Sequence, residues 1–286
     1  MSDESDLDLA HRLADLAGEI AMGHVAAGVG EVQTKSDGSP VTPADRRIER
    51  ELRELVARER PRDAFTGEEF GSRGHSPRRW IIDAIDGTRS FLSGEPEWGT
   101  LIALAQEHRV RLGLVCAPAL ARRWWAVPGG GAWTVADRGA AGRSESPRRL
   151  GVTATGRLDR ASVGIWPPPQ RIADHIRPAA AELAAVAGRA VPALDWTGRD
   201  SATPTPSKPS TGSGTCHGGL LVATGRLDAF LLVGAGPWDI AALVPVVREA
   251  GGAFSDLAGR DRYDTGAALF SNARVHDEAL DALRTG

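Results

Sequence analysis

The sequence predicts a mixed α/β protein, with an α+β first half and an α/β second half. Three observations lead there. Leu7, Leu13, Leu16, Ile20 and Val25 recur at roughly helical spacing, which marks an amphipathic helix over residues 5–28. Short apolar runs separated by Gly, Pro and charged residues then follow one another as far as residue 135, as strands do. From residue 162 onward, strand and helix signals alternate.

Each element has its own signal. Residues 29–41 are rich in Gly, Ser and Lys and are expected to be a loop. Thr42-Pro43-Ala44-Asp45 opens a helix over 45–60, in which Thr42 fits the N-cap and Pro43 the first helical position. Strands are expected near 64–67 and 79–83. A hairpin of Gly99–Ala105 and Arg109–Ala117 turns at Glu107-His108. Arg122–Val127 and Ala132–Val135 read as two more strands, split by Gly129-Gly130-Gly131. The polar, Gly/Ser/Pro/Arg-rich stretch 137–150 is the expected boundary between halves, giving units 1–150 and 151–286. In the second unit, strands are expected at 162–166, 190–194, 227–233 and near 267–271. Helices are expected at 172–188, near 216–225, at 239–250 and near 275–284. Residues 197–214, rich in Thr, Ser, Pro and Gly, should form a mobile loop.

The chain has 286 residues, 42% of them hydrophobic and 25% charged, enough for one large domain or two intimate halves. A formal net charge of −3 and scattered Arg pairs give no reason to expect a nucleic-acid partner. Two cysteines, Cys116 and Cys216, sit in apolar or small-residue surroundings, which suits a reduced, cytoplasmic setting. Met1 to Leu9 is acidic and lacks a signal peptide's basic start and apolar core. No apolar run reaches the ~18 residues of a membrane span, so no membrane partner is expected.

Chemistry concentrates in acids. Trp80-Ile81-Ile82 reads as the end of a buried strand, and Asp83 and Asp86 follow at once. Two acids at the end of a buried strand are costly unless something positive neutralises them. Oxygen donors without Cys or His suit a hard cation such as Mg²⁺. Gly87 and Thr88 could offer backbone N–H groups to a phosphate at a helix start. The stretch also reads as a plain Asp-Gly turn with a capping Thr. Gly67-Glu68-Glu69 is a second acidic site, and Asp45 and Asp239 open helices. Capping alone could explain those two Asp residues.

Taken together and in order, these motifs resemble the inositol monophosphatase family of Mg²⁺-dependent phosphomonoesterases. The matching residues are Thr42 to Asp45, Gly67-Glu68-Glu69, Asp83-Ala84-Ile85-Asp86-Gly87-Thr88 and Trp238-Asp239. The resemblance implies a layered α-β-α-β-α sandwich, two or three Mg²⁺ ions, a small phosphorylated substrate and a homodimer. It also implies that Glu68, Asp83 and the Ile85 carbonyl hold one ion and that Asp83, Asp86 and Asp239 hold another. Thr88, Asp45 and Glu68 would position and deprotonate an attacking water, and Gly87 and Thr88 would receive phosphate oxygens.

Ala84 stands where the family has Pro, which removes no ligand. Leu232, seven residues before Asp239, stands where inositol monophosphatases carry a Glu that accepts sugar hydroxyls. An aliphatic residue facing the substrate there would disfavour myo-inositol 1-phosphate. The segments Ala117–Ala126 and Gly129–Trp133 are similar to the histidinol-phosphate phosphatases of the family, and histidinol phosphate is the substrate they suggest. Trp124 and Trp125 in that segment are read as lying on opposite strand faces, one buried. His217 is read as a helix-capping or surface residue, with a place beside the substrate as the other reading. A sugar, cyclitol or nucleoside phosphate stays open as substrate. So does a non-catalytic relative that only binds a phosphorylated ligand, although no metal-binding acid is missing.

Overall fold

The computed structural model describes residues 5–28, 30–36, 38–136, 146–191 and 216–285. The first helix, α1 (Asp6–Ala27), is capped by Ser5, whose hydroxyl accepts the Asp8 N–H. A two-strand hairpin, β1 (Gln33–Thr34) and β2 (Pro40–Val41), stands where the composition predicts only loop. Then come α2 (Pro43–Glu59), β3 (Ala64–Gly67), β4 (Gly71–Arg73), β5 (Arg78–Asp86) and the short α3 (Thr88–Ser93). The strands β6 (Gly99–Gln106), β7 (Arg109–Ala117), β8 (Arg122–Ala126), β9 (Ala132–Ala136) and β10 (Arg148–Arg149) complete one sheet. Its eight strands run in the order β10-β9-β8-β7-β6-β5-β3-β4, antiparallel except for the β3–β5 pair.

The rest of the chain builds a second sheet from β11 (Ser162–Trp166), β12 (Arg189–Val191), β13 (Ala229–Val233), β14 (Ala253–Ser255) and β15 (Ala267–Ser271). Between and after these strands lie α4 (Arg177–Val186), α5 (Cys216–Ala223), α6 (Pro237–Ala241), α7 (Leu243–Glu249) and α8 (His276–Thr285). The sheet order is β12-β11-β13-β15-β14, with β11 parallel to both its neighbours.

Strand alternation sorts the core into three layers of side chains. Trp80, Ile82, Ile102, Leu104 and Leu114 face α1 and α2. Their neighbours Ile81, Leu101, Ala103 and Val115 face the other way, onto α5, α6 and α7. Phe230 and Leu232 reach that same middle cluster from the second sheet, while Leu231 and Val233 face α4 and α8. The protein is therefore an α-β-α-β-α sandwich, and the middle helices, all from the second half, pack against the first-half sheet. Central strands covered on both faces read as continuous apolar runs, which is how they appear in the sequence.

Several elements depart from their expected bounds. The strand expected to end at Asp83 continues to Asp86, with a register shift against β6 between those residues. The helix expected at 172–188 begins only at Arg177, because Pro178 belongs in a first turn. The helix expected over 239–250 starts at Pro237 and breaks into α6 and α7. Pro245 has no N–H to return to Ala241, and the interruption falls at Ala242. Gly113 of β7 lies against that break; a methyl there would overlap the Ala242 carbonyl oxygen and the Pro245 ring. Trp124 is buried and Trp125 half-buried, on opposite faces of β8. The expected loop 197–214 and the tail of the strand expected at 190–194 lie outside the described residues. Among those residues, no helix is long and apolar enough to cross a membrane. Cys116 and Cys216 are both buried, and neither is in a disulfide.

Candidate active site

The end of β5, the β3–β4 turn, and the first turns of α2 and α6 converge. Carboxylate oxygens of Asp83, Asp86 and Asp239 lie within 4.8 Å of one another. The bulge between Asp83 and Asp86 lets both side chains reach one site although they are three residues apart. Gly87 then takes a left-handed conformation, φ 85°, that a β-carbon would strain, and reverses the strand into α3.

Asp83 is the most isolated of these acids. It is fully buried, and its Oδ1 has no hydrogen-bond partner among the described residues. Burial raises its pKa well above the ordinary carboxylate value, and the charges of Glu68, Asp86, Asp239 and Asp45 raise it further. A buried, unpartnered carboxylate oxygen among four other acids is the environment a hard cation would relieve. An all-oxygen donor set suits a hard divalent cation.

Two of the acids do double duty. Asp45 accepts the Thr42 N–H at 2.8 Å and the Thr42 hydroxyl at 2.5 Å through Oδ2, which closes a capping box on α2. Its Oδ1 faces the Thr88 hydroxyl at 3.5 Å. Burial lifts its pKa to about 6, against the pull of the Thr42 bonds. Asp239 likewise accepts the Gly236 N–H at 2.6 Å at the head of α6. Capping and site geometry are thus compatible at both residues, and each cap fixes its carboxylate.

The remaining candidates are placed as follows. Glu68 lies in the β3–β4 turn, near enough to raise the Asp83 pKa, but its Oε1 meets the Lys35 ammonium at 2.7 Å. The Ile85 carbonyl accepts the Thr88 hydroxyl at 3.1 Å. Thr88 does not cap α3; Gly87 occupies the cap position and no side chain caps it. Leu232 does not reach the site surface. It is fully buried in the middle cluster, its side chain used for packing between the sheets, so it gives no aliphatic wall to a substrate. His217 is not a surface residue either: it is fully buried on α5.

Three contacts go unread in the sequence. Lys35, delivered by the β1–β2 hairpin, bonds both Glu68 and Glu69, the latter at 2.5 Å. Burial opposes its charge, but the two carboxylates outweigh that and raise its pKa. Cys216 donates its backbone N–H to Asp86 Oδ2. Glu49 reaches the β3–β4 turn from α2 and is wholly buried. Glu49 had a visible signal: Asp45, Ile48, Glu49, Leu52 and Val56 share one helix face, so an acid is set among apolar residues. Lys35 and Cys216 had none.

Residues 3–285 match the sequence profile described as the inositol monophosphatase family. The chain is 38% identical to the histidinol-phosphatase of Mycobacterium tuberculosis, covering 98% of each protein. It is 39% identical to the histidinol-phosphatase of Streptomyces coelicolor, covering 97% of this chain and 96% of that one. An inositol monophosphatase structure from Zymomonas mobilis superposes with a TM-score of 0.77 at 28% identity, over 98% of this chain and 97% of that one. The chain belongs to the inositol monophosphatase family and is a metal-dependent phosphoric monoester hydrolase.

Proposed function

We propose that this member of the inositol monophosphatase family hydrolyses histidinol phosphate, with Mg²⁺ as its metal. The substrate reading rests on identities of 38% and 39%, along nearly the whole chain, to two histidinol-phosphatases. The metal reading rests on the buried Asp83 and its unpartnered Oδ1.

In this reading Glu68, Asp83 and the Ile85 carbonyl would hold one ion, and Asp83, Asp86 and Asp239 would hold a second. Bound Mg²⁺ would neutralise the phosphate, make water acidic and stabilise the leaving oxygen. Asp45, fixed by its own cap, receives the Thr88 hydroxyl hydrogen; Thr88 then orients the attacking water, with Glu68 beside it as proton acceptor. The backbone N–H groups of Gly87 and Thr88 lie where the strand turns into α3 and take phosphate oxygens. The Thr88 hydroxyl has two acceptors in reach, the Ile85 carbonyl and Asp45 Oδ1, and the Ile85 carbonyl would be available to an ion with the hydroxyl turned to Asp45. The protein works as a homodimer in the cytoplasm, a compartment in keeping with two buried cysteines outside any disulfide.

The test is phosphate release with Mg²⁺ from histidinol phosphate, myo-inositol 1-phosphate and several sugar phosphates. The highest kcat/KM is expected for histidinol phosphate. A higher value for any of the others overturns the substrate assignment, and undiminished turnover after exhaustive chelation overturns the metal assignment.

A further inference from the structure

Glu49 is a wholly buried carboxylate one helical turn beyond Asp45 on α2. Its Oε2 accepts the Glu69 N–H at 2.6 Å and its Oε1 the Phe70 N–H at 3.0 Å. Arg53, one turn further on, donates to Glu49 Oε1 at 3.1 Å and to the Gly71 carbonyl at 2.8 Å. The Arg53 guanidinium also lies over the Phe65 ring, 5.0 Å from its centroid. The β3–β4 turn that carries Glu68 is thus gripped through its backbone by one face of α2.

Gly67 explains how close this grip is. It is the residue immediately before Glu68, and a methyl at its α-carbon would overlap the Glu49 carboxylate. Space, not backbone angles, favours glycine there, since a methyl would have to displace the buried Glu49 carboxylate. The same helix face that holds Asp45 toward Thr88 therefore holds, through Glu49, the two backbone N–H groups that follow Glu68. A buried carboxylate is an expensive way to fasten a surface turn, unless the turn's placement matters more than the cost.

We infer that Glu49 is a positioning residue of the ion site, setting Glu68 against Asp83 by fastening the β3–β4 turn to α2. The inference rests on the reading of Glu68 as an ion ligand. Groups that orient metal ligands without touching the metal are worth roughly 10–100-fold in affinity. Glu49→Gln keeps the shape but turns one acceptor into a donor facing a backbone N–H. Gly67→Ala pushes on the same contact from the other side.

The experiment is the Kd for Mn²⁺, read by electron paramagnetic resonance at 25 °C on variants shown folded by circular dichroism. Glu49→Gln and Gly67→Ala should each weaken binding about tenfold or more. Glu49→Ala combined with Gly67→Ala should weaken it no further than Glu49→Ala alone, because both act at one contact. A residue that only stabilised the fold would lower Tm and leave this Kd unchanged. Should Glu49→Gln fail to fold, Arg53→Met loosens the same carboxylate and should weaken binding in the same direction. Glu68→Gln separates the two readings. If it weakens Mn²⁺ binding while Glu49→Gln and Gly67→Ala stay within twofold of wild type, the positioning role is overturned alone. If Glu68→Gln changes nothing, the ligand reading falls and the positioning role with it.

Discussion

Cys216 and Asp86 are 130 residues apart in the chain, yet the backbone N–H of the first donates to Oδ2 of the second at 2.8 Å. The start of α5, in the second half, therefore leans on a carboxylate at the end of β5, in the first. Asp239 approaches the same carboxylates from α6. The site is completed only where the two halves meet.

Asp83→Asn should separate activity from stability. The amide keeps the shape and removes a carboxyl whose ionised form burial and neighbouring acids disfavour in the metal-free protein. Turnover should fall on the order of 10²-fold or more, as for loss of a strong electrostatic contact. The melting temperature in chelator should be no lower than that of wild type. Kinetics and thermal melts on one preparation check both, and a near-normal rate would make Asp83 a structural residue only.

Thr88→Ala should damage kcat far more than the fold. Thr88 is not the cap of α3, so the ~1 kcal/mol cost of losing a cap should not appear. Its hydroxyl instead faces Asp45 and the Ile85 carbonyl. A loss of roughly 10²-fold or more in kcat, with KM little changed, is expected for a group that helps move a proton. A drop in Tm at unchanged kcat would show the hydroxyl to be structural.

Metal binding should release protons. Burial lifts the pKa of Asp45 to about 6 and of Glu69 to about 7, the latter against the pull of Lys35, and Asp83 is raised as well. Below those values Asp45 and Glu69 hold protons in the metal-free protein, and a cation bound beside them would lower their pKa and release part of those protons. Affinity should therefore rise with pH across about 6 to 7, and the share of release from Asp45 and Glu69 should fade toward pH ~8. Calorimetry of Mg²⁺ binding in two buffers of different ionisation enthalpy counts the protons. No release near pH 6 would contradict this electrostatic picture.

Leu232→Glu should not create a polyol-binding site. Leu232 is sealed in the middle layer, so the change buries an unpaired carboxylate at a cost of roughly 3–5 kcal/mol. Chemical denaturation should show that loss, with no gain in kcat/KM for myo-inositol 1-phosphate. A stable variant with improved inositol phosphatase activity would mean that the side chain can turn outward.

Much of this architecture could be read from residue order because the signals were local. The Thr42-Pro43 start of α2, the β6–β7 hairpin and the doubly covered strands all follow from spacing and turn chemistry. The acids Asp83, Asp86 and Asp239 could be picked out because a charge beside a buried strand or in an apolar helix start stands out against its neighbours. What stayed hidden was long-range. Lys35 meets Glu68 through a hairpin with two-residue strands and no strong period. The extension of β5 to Asp86 depends on a bulge, which alternation alone does not reveal. Leu232 was misjudged because its position relative to Asp239 says nothing of which sheet face it occupies; the partners Trp166 and Ala268 and the middle cluster decide that.

The α6–α7 break lies flush against Gly113, with no room for even a methyl between the Ala242 carbonyl and β7. Asp239 heads α6, the helix that ends at this seam, so the seam fixes where the third acid stands against Asp83 and Asp86. A cation bound by all three would add to the stability of this arrangement, and the more so the further its concentration exceeds its Kd. Proteolytic nicking that requires the three acids to part should slow as Mg²⁺ is raised, an effect on the fold separate from any on turnover.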